Sequence, residues 1–373
     1  MYLFHLFVFA FYLYTVWRLI IPLPLSRYSR AFLAFVLLLI TQYRWFQLWF
    51  FGSMFSPELP HNVVLILGGL FAGFSLLIML TLLSDIVSLI GRIFSIHSLY
   101  WSTRKRVVIF LATIVLAIIG VQAAIRVPDV KRVEIPIKNL SQKLDGLTIV
   151  QLTDLHISHL FRDAWLNEVV QKTNQLNPDI ILITGDFIDG EVSDRWSDIQ
   201  AYKQLKAKYG VFGIMGNHEY YYHGEKWFKA LGELGIEMLA NEHRVIYPQG
   251  EPFVVAGLTD EAALRFKLPG PAIDKALADR PDNAITVLLA HRPQEVAEHI
   301  AKGVSLQLSG HTHGGMIIGF QQLVKFFNGG FVSGLYKVGE GWLYLSNGTG
   351  LWNGFPIRLG VPSEITLITL RHQ

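Results

Sequence analysis

The chain has no cysteine among its 373 residues. That excludes disulfides, thiolate metal ligands and cysteine nucleophiles, and it leaves any metal site to His, Asp, Glu or Asn side chains. Charge is scarce too: 16% of residues are Asp, Glu, Lys or Arg, against about 25% in an ordinary soluble protein. With a mean hydropathy of +0.37, part of the chain is built for lipid. The basic residues are scattered and the formal net charge is only +3, so the cationic face of a nucleic-acid binder is missing and no nucleic-acid partner is expected. No repeat or low-complexity tract occurs, and nothing points to a protein partner.

The apolar residues gather at the N-terminal end. Four stretches, at 2–22, 31–51, 62–84 and 107–125, reach the length of about 20 residues that crosses a bilayer. They define an expected all-α transmembrane region over residues 1–126. The first stretch lacks the basic start and small-residue cleavage site of a signal peptide. Arg27 and Arg30 follow the first stretch, and Arg92, Arg104, Lys105 and Arg106 precede the fourth, whereas the loop from Gly52 to His61 has no Lys or Arg. Basic loops stay in the cytoplasm. This expectation places both termini outside, in a multi-pass protein of the bacterial inner membrane with an extracytoplasmic C-terminal domain. Arg126, Lys131 and Arg132 argue the other way. Arg18 and Arg44 are expected to snorkel to an interface and Asp85 to fall near a helix end. The spans then lack the paired charges of a transport pathway and read as an anchor.

From Pro128 onward short β-rich runs alternate with amphipathic segments, the pattern of an α/β domain. Residues 127–146 read as a linker and edge strand, and 147–373 as the domain. Strands are expected at 147–152, 180–183, 211–215, 253–256, 285–290, 305–308, 342–345 and 365–370. Helices are expected at 165–176, 196–207 and 293–302, the last opened by Pro293 and closed by Gly303.

Polar motifs follow these strands: Asp154-Leu-His156, Gly185-Asp186, Gly216-Asn217-His218-Glu219, His291, and Gly310-His311-Thr312-His313. Ligands of α/β folds sit at the carboxyl ends of strands, so five loops would converge on one crevice. Taken singly, each motif is more often a turn or a satisfied core histidine. As an ordered set in one domain they are not. Imidazole, carboxylate and a neutral Asn oxygen suit two divalent ions of the Mn, Zn or Fe type. Asp186 is the natural bridge, one oxygen per metal, setting the pair about 3.5–4 Å apart. Such a pair ionises a shared water near neutral pH and neutralises phosphate oxygens.

These blocks resemble the calcineurin-like metallophosphoesterase superfamily, whose pattern is Asp-x-His, Gly-Asp, Gly-Asn-His-Asp/Glu, a later His and Gly-His-x-His. The resemblance covers roughly 147–370. The segments Leu152–His156 and Gly348–Arg358, with Pro362–Leu370, are similar to the bacterial subgroup of YkuE-type and YaeI-type phosphoesterases. The resemblance implies a β-sandwich of two mixed sheets flanked by helices. It implies one metal on Asp154, His156 and His313 and another on Asn217, His291 and His311, with Asp186 bridging. It also implies that His218 is catalytic and no ligand, positioned by Asn217 and tuned by Asp154.

The expected function is therefore a membrane-anchored dimetal phosphoesterase that cleaves a phosphomonoester or phosphodiester by attack of a metal-bridging hydroxide, with lipid and cell-envelope esters among its candidate substrates. A catalytically silent scaffold and the regulatory domain of a membrane sensor or transporter are the alternatives. Tyr220-Tyr221-Tyr222 and Phe320–Phe331 either line an apolar entrance or pack, and Arg358 either meets a phosphate or forms a surface ion pair.

Overall fold

The computed structural model describes residues 2–52 and 56–373. Residues 53–55, part of the Gly52–His61 loop used in the charge argument, lie outside the described residues. Contacts divide the chain into two units: Met1–Ala123 with Asn353–Leu359, and Ala124–Trp352 with Gly360–Gln373.

The first unit is helical. α1 (Tyr2–Thr15) continues into a π-helical turn, Val16–Ile20, and is followed by α2 (Arg27–Phe51), α3 (His61–Ile93) and α4 (Thr103–Ile125). All four helices are long and apolar enough to cross a membrane. The ends of α2 are written locally: the Ser26 side chain accepts from Ser29 N–H at 3.1 Å, and Gly52 takes φ 68°, which no Cβ opposes.

Polar side chains explain where this unit departs from the expected spans. α3 does not stop near Asp85 but runs on to Ile93, because the Asp85 carboxylate is satisfied inside the bundle. It pairs with Arg18 and accepts from Tyr14 Oη at 2.7 Å and Trp101 Nε1 at 2.6 Å. Arg18 therefore does not snorkel, and the spans do hold a charge pair. Arg44 is fully buried, 4.4 Å from the centre of the Phe71 ring, and donates to the Gly354 carbonyl. Gly354 belongs to the returning segment Asn353–Leu359, which lies close to the helices because Gly68 carries no side chain. A Cβ there would come within 2.8 Å of the Asn353 carbonyl oxygen. Arg358, whose own N–H donates to the Gly120 carbonyl at 2.9 Å, is 1% exposed. A surface ion pair is not its role.

The second unit contains two mixed six-stranded sheets. The strands are β1 (Asp129–Ile137), β2 (Thr148–Leu152), β3 (Ile180–Ile183), β4 (Val211–Gly213), β5 (Glu237–Met238), β6 (Glu242–Ile246), β7 (Phe253–Gly257), β8 (Ile285–Leu289), β9 (Leu306–Ser309), β10 (Gly334–Val338), β11 (Gly341–Leu345) and β12 (Glu364–His372). One sheet runs β1-β12-β2-β3-β4-β5 and the other β10-β11-β9-β8-β7-β6. β2 to β5 are parallel, as are β7, β8, β9 and β11.

Alternate residues decide the layering. Ile149, Ile180, Leu182 and Phe212 of one sheet share a core with Phe253, Val255, Val287, Leu289, Leu306 and Leu308 of the other. The opposite face of the second sheet, through Val254, Ala256, Leu288 and Leu345, packs on Ile273, Val296 and Ile300. Burial on both faces is why these strands read as unbroken apolar runs. α5 (Asp163–Gln175) forms as expected. The helix expected at 196–207 does not: only a short 3-10 turn, Gln200–Gln204, occurs there. Buried Asp198 faces Arg162 and Arg195, an arrangement that overrides local helix preference. The helix expected from Pro293 begins at Val296, since Glu295 takes a left-handed φ of 52°.

Asp85→Ala should lower the thermal stability of the micelle-solubilised protein by about 1–3 kcal/mol, because Arg18, Tyr14 and Trp101 lose a shared acceptor. Adding Arg18→Ala should recover part of the loss. Strictly additive penalties in that double-mutant cycle would contradict the coupling.

Candidate metal centre

The carboxyl ends of β2, β3 and β4 in one sheet and of β8 and β9 in the other deliver the motif residues to one place. Their ligand atoms fall into clusters: Asp154, His156 and His313 in one, Asp186, His291 and His311 in a second. Asn217 joins the second, its Oδ1 being 3.2 Å from His291 Nε2. All seven expected positions are thus brought together. Asp154, His156, Asp186, Asn217 and His291 are buried, while His311 and His313 are only partly covered and form the open side.

The turns that aim these side chains are strained. Asp154, His156, Asp186, His311 and His313 all have φ between 48° and 70°. Non-glycine residues avoid this region at a cost of roughly 1–3 kcal/mol each, and such outliers gather at functional sites. Glycines make the close approaches possible. At Gly185, with φ 92°, a Cβ would come within 2.9 Å of His291 Nδ1, and at Gly310 it would collide with Thr153 and Asp154.

Hydrogen bonds orient the rings. His291 Nδ1 donates to the Thr184 carbonyl at 2.8 Å, which turns Nε2 toward Asp186 Oδ2, 3.3 Å away. His156 Nδ1 faces Asp189, leaving Nε2 at 3.6 Å from Asp186 Oδ2 and 4.0 Å from Asp154 Oδ1. Among the described residues that buried Nε2 finds no hydrogen-bond partner. A polar atom orphaned between two carboxylates marks a gap that a cation fits, since ligands about 2.1 Å from one ion lie roughly 3–3.6 Å apart. His313 Nε2, 3.6 Å from Asp154 Oδ1, completes the edge.

The two Asp186 oxygens do not divide between the two clusters. Oδ2 of Asp186 faces both His156 and His291, whereas Oδ1 accepts the His218 N–H at 2.9 Å. A single oxygen is therefore shared between the two clusters.

Motif reading missed Asp189, the second carboxylate of Gly185-Asp186-Phe-Ile-Asp189. His218 Nδ1 lies against Asp189, not Asp154, while Asn217 turns its side chain to His291. The Gly-Asp-x-x-Asp spacing was the available signal. Glu219 is a buried clamp: its carboxylate accepts the backbone N–H groups of Gly216 (2.7 Å), Asp186 (3.0 Å), Phe187 (2.8 Å) and Ile188 (3.2 Å). It locks two of the motif turns to each other. Of the three tyrosines, Tyr220 and Tyr222 are packed inside, and Tyr221 stands 5.3 Å from the His218 ring.

Charge in the cluster follows from burial against pairing. Burial opposes a charged His218, but Asp186 and Asp189 outweigh it and raise its pKa to about 9. For His291, burial is likewise outweighed by Asp186, with help from Asp154, and the pKa reaches about 10. Burial also works against the Asp186 carboxylate, yet His291 and His218 hold it well below the usual range. His311 is driven well below its ordinary value by burial and by the neighbouring His291 charge.

The calcineurin-like phosphoesterase family model matches residues 147–315. The chain is 36% identical over 279 residues to a "transmembrane protein with metallophosphoesterase domain" of Danio rerio, covering 72% of this chain and 63% of that one. It is 33% identical over 302 residues to the uncharacterized metallophosphoesterase Cj0846 of Campylobacter jejuni, covering 79% and 78%. It is 31% identical over 240 residues to the uncharacterized metallophosphoesterase YkuE of Bacillus subtilis, covering 61% and 80%. A share of 79% is more than residues 147–373 can supply, so the likeness to the Campylobacter protein reaches back into the helices. Against the zebrafish relative, the chain spans less than two thirds of that protein's length.

In metal-stripped protein His291 should keep its extra proton up to about pH 10. A cation taking Nε2 must displace that proton. Its affinity should rise up to about tenfold per pH unit from neutrality and level off above the pKa. Titration calorimetry with Mn or Zn in buffers of different ionisation heat reads the proton release. None at pH 8 would count against His291 as a ligand.

Proposed function

The chain belongs to the calcineurin-like metallophosphoesterase family, and on that premise we propose that it is a membrane-anchored phosphoesterase using two divalent ions. One ion would be held by Asp154, His156 and His313, the other by Asn217, His291 and His311, with Asp186 Oδ2 between them. The observation that carries this reading is the shared Asp186 oxygen flanked by two histidine clusters, with the orphaned His156 Nε2 beside it. The donor set of imidazole, carboxylate and amide oxygen, without thiolate, fits Mn, Zn or Fe. Bound there, two such ions would supply Lewis-acid polarisation of the phosphoryl oxygens and an ionised water near neutral pH.

The protein's own groups do the rest. His218, with its pKa near 9, carries a proton at neutral pH. Asp189 holds Nδ1, so Nε2, 4.0 Å from Asp186 Oδ2, presents its proton to the leaving oxygen of a bound ester. Glu219 keeps the Asp186 and Asn217 turns in register. The substrate class we propose is a phosphomonoester or phosphodiester of a lipid or cell-envelope molecule. The basic loops support an extracytoplasmic domain in a bacterial inner membrane.

Asp186→Ala should abolish hydrolysis of a bis-aryl phosphate by the Mn-loaded full-length protein and lower its metal content. His218→Asn should retain metal but lose about 10²–10⁴-fold in kcat. Full activity in either variant sinks the mechanism. Release of phosphate from envelope lipid extracts, compared with soluble esters, tests the substrate class.

Sidedness has its own test, because the chain has no native thiol. Lys229→Cys in intact cells should react with a membrane-impermeant maleimide. Labelling only after lysis would place the domain in the cytoplasm.

A further inference from the structure

The domain of residues 124–373 leaves eight large apolar side chains more than a third exposed, and five of them fall within ten residues: Ile318, Phe320, Leu323, Phe326 and Phe327. Three of these lie on the helix Gln321–Phe327, which buries none of its residues. Phe326 and Phe327 are 79% and 70% exposed and stand edge to face. Monomeric soluble surfaces scatter such residues singly, and a contiguous cluster marks a contact.

The cluster adjoins the metal centre. The turn His313–Gly315 leads directly into it, and at Gly315 a Cβ would come within 2.9 Å of Gln321 Cα, so helix and ligand turn are in close contact. Charge narrows the choice of partner. From His313 to Gly339 the chain has no Asp or Glu, and Lys325 sits among the aromatics. Apolar rings beside a lysine, with no anion, complement an anionic lipid surface. Chain length supplies the opportunity, since α4 ends at Ile125 and β1 begins at Asp129.

We propose that Ile318–Phe327 is a lipid-contacting element that inserts its aromatic side chains into the bilayer interface, placing the His311–His313 side of the metal centre at the lipid surface. The two phenylalanines enter the acyl boundary, and Lys325 remains at the level of the phosphates. The contact stands on exposure and charge and does not depend on hydrolysis.

The absence of native cysteine makes the test clean. Full-length Phe326→Cys, labelled with an environment-sensitive dye and reconstituted in nanodiscs of phosphatidylglycerol and phosphatidylcholine, should show blue-shifted emission. Doxyl-labelled lipid should quench it at least about twofold more than the same dye at Lys229→Cys. A label at Leu323→Cys should lose that quenching when Phe326→Glu and Phe327→Glu are added, with the melting temperature unchanged. Equal quenching at positions 326 and 229 overturns the proposal. So does self-quenching that rises with protein per disc and ignores doxyl lipid, which would make a second copy the partner. Lipid quenching in a protein inactive on every phosphoester would uphold the contact and defeat the enzymatic reading instead.

Discussion

The Asp186 carboxylate sits almost fully buried at the end of β3, with Oδ2 within 3.6 Å of His156 Nε2 and 3.3 Å of His291 Nε2. Three of the motif turns are tied to that carboxylate or to the backbone beside it. Its second oxygen accepts from the His218 backbone, its own N–H is held by Glu219, and the Asp154 N–H donates to the Gly185 carbonyl at 3.0 Å. A charge buried this deeply is tolerated only when surrounded by opposite charge and donors. His156, His218 and His291, with the His218 backbone N–H, meet that need in the metal-free chain, and two cations would meet it more fully.

The same constraint organises the loops. Glu219 gathers four backbone N–H groups that belong to no sheet or helix ladder. Asp189 joins His156 and His218, so the ring proposed to protonate the leaving group is held by the carboxylate that also turns a proposed ligand. Left-handed turns at five of the seven positions store strain that the surrounding hydrogen bonds sustain. Rigidity of this kind holds proposed ligands at fixed separation before any ion arrives.

In the helical unit the same rule acts with lipid in place of water. Arg18, Asp85, Tyr14 and Trp101 satisfy one another, and Arg44 spends its charge on the Gly354 carbonyl and aromatic faces. These contacts join residues far apart in sequence, and so length and hydropathy alone misplaced the end of α3 and the fate of both arginines.

By itself the sequence determined the class of each half. Apolar runs of spanning length define four helices, two-face burial makes the central strands legible as β8 is in Ile285–Leu289, and motifs placed after strands announce a crevice at their carboxyl ends. These signals are local, because periodicity and strand-end position are properties of neighbouring residues. Tertiary structure alone decided which oxygen of Asp186 is shared, that Asp189 rather than Asp154 holds His218, that residues 196–207 are mostly not helix, and that Phe326 and Phe327 stay outside. Each depends on which side chains meet across many tens of residues, and burial energy is settled only when both partners are in place.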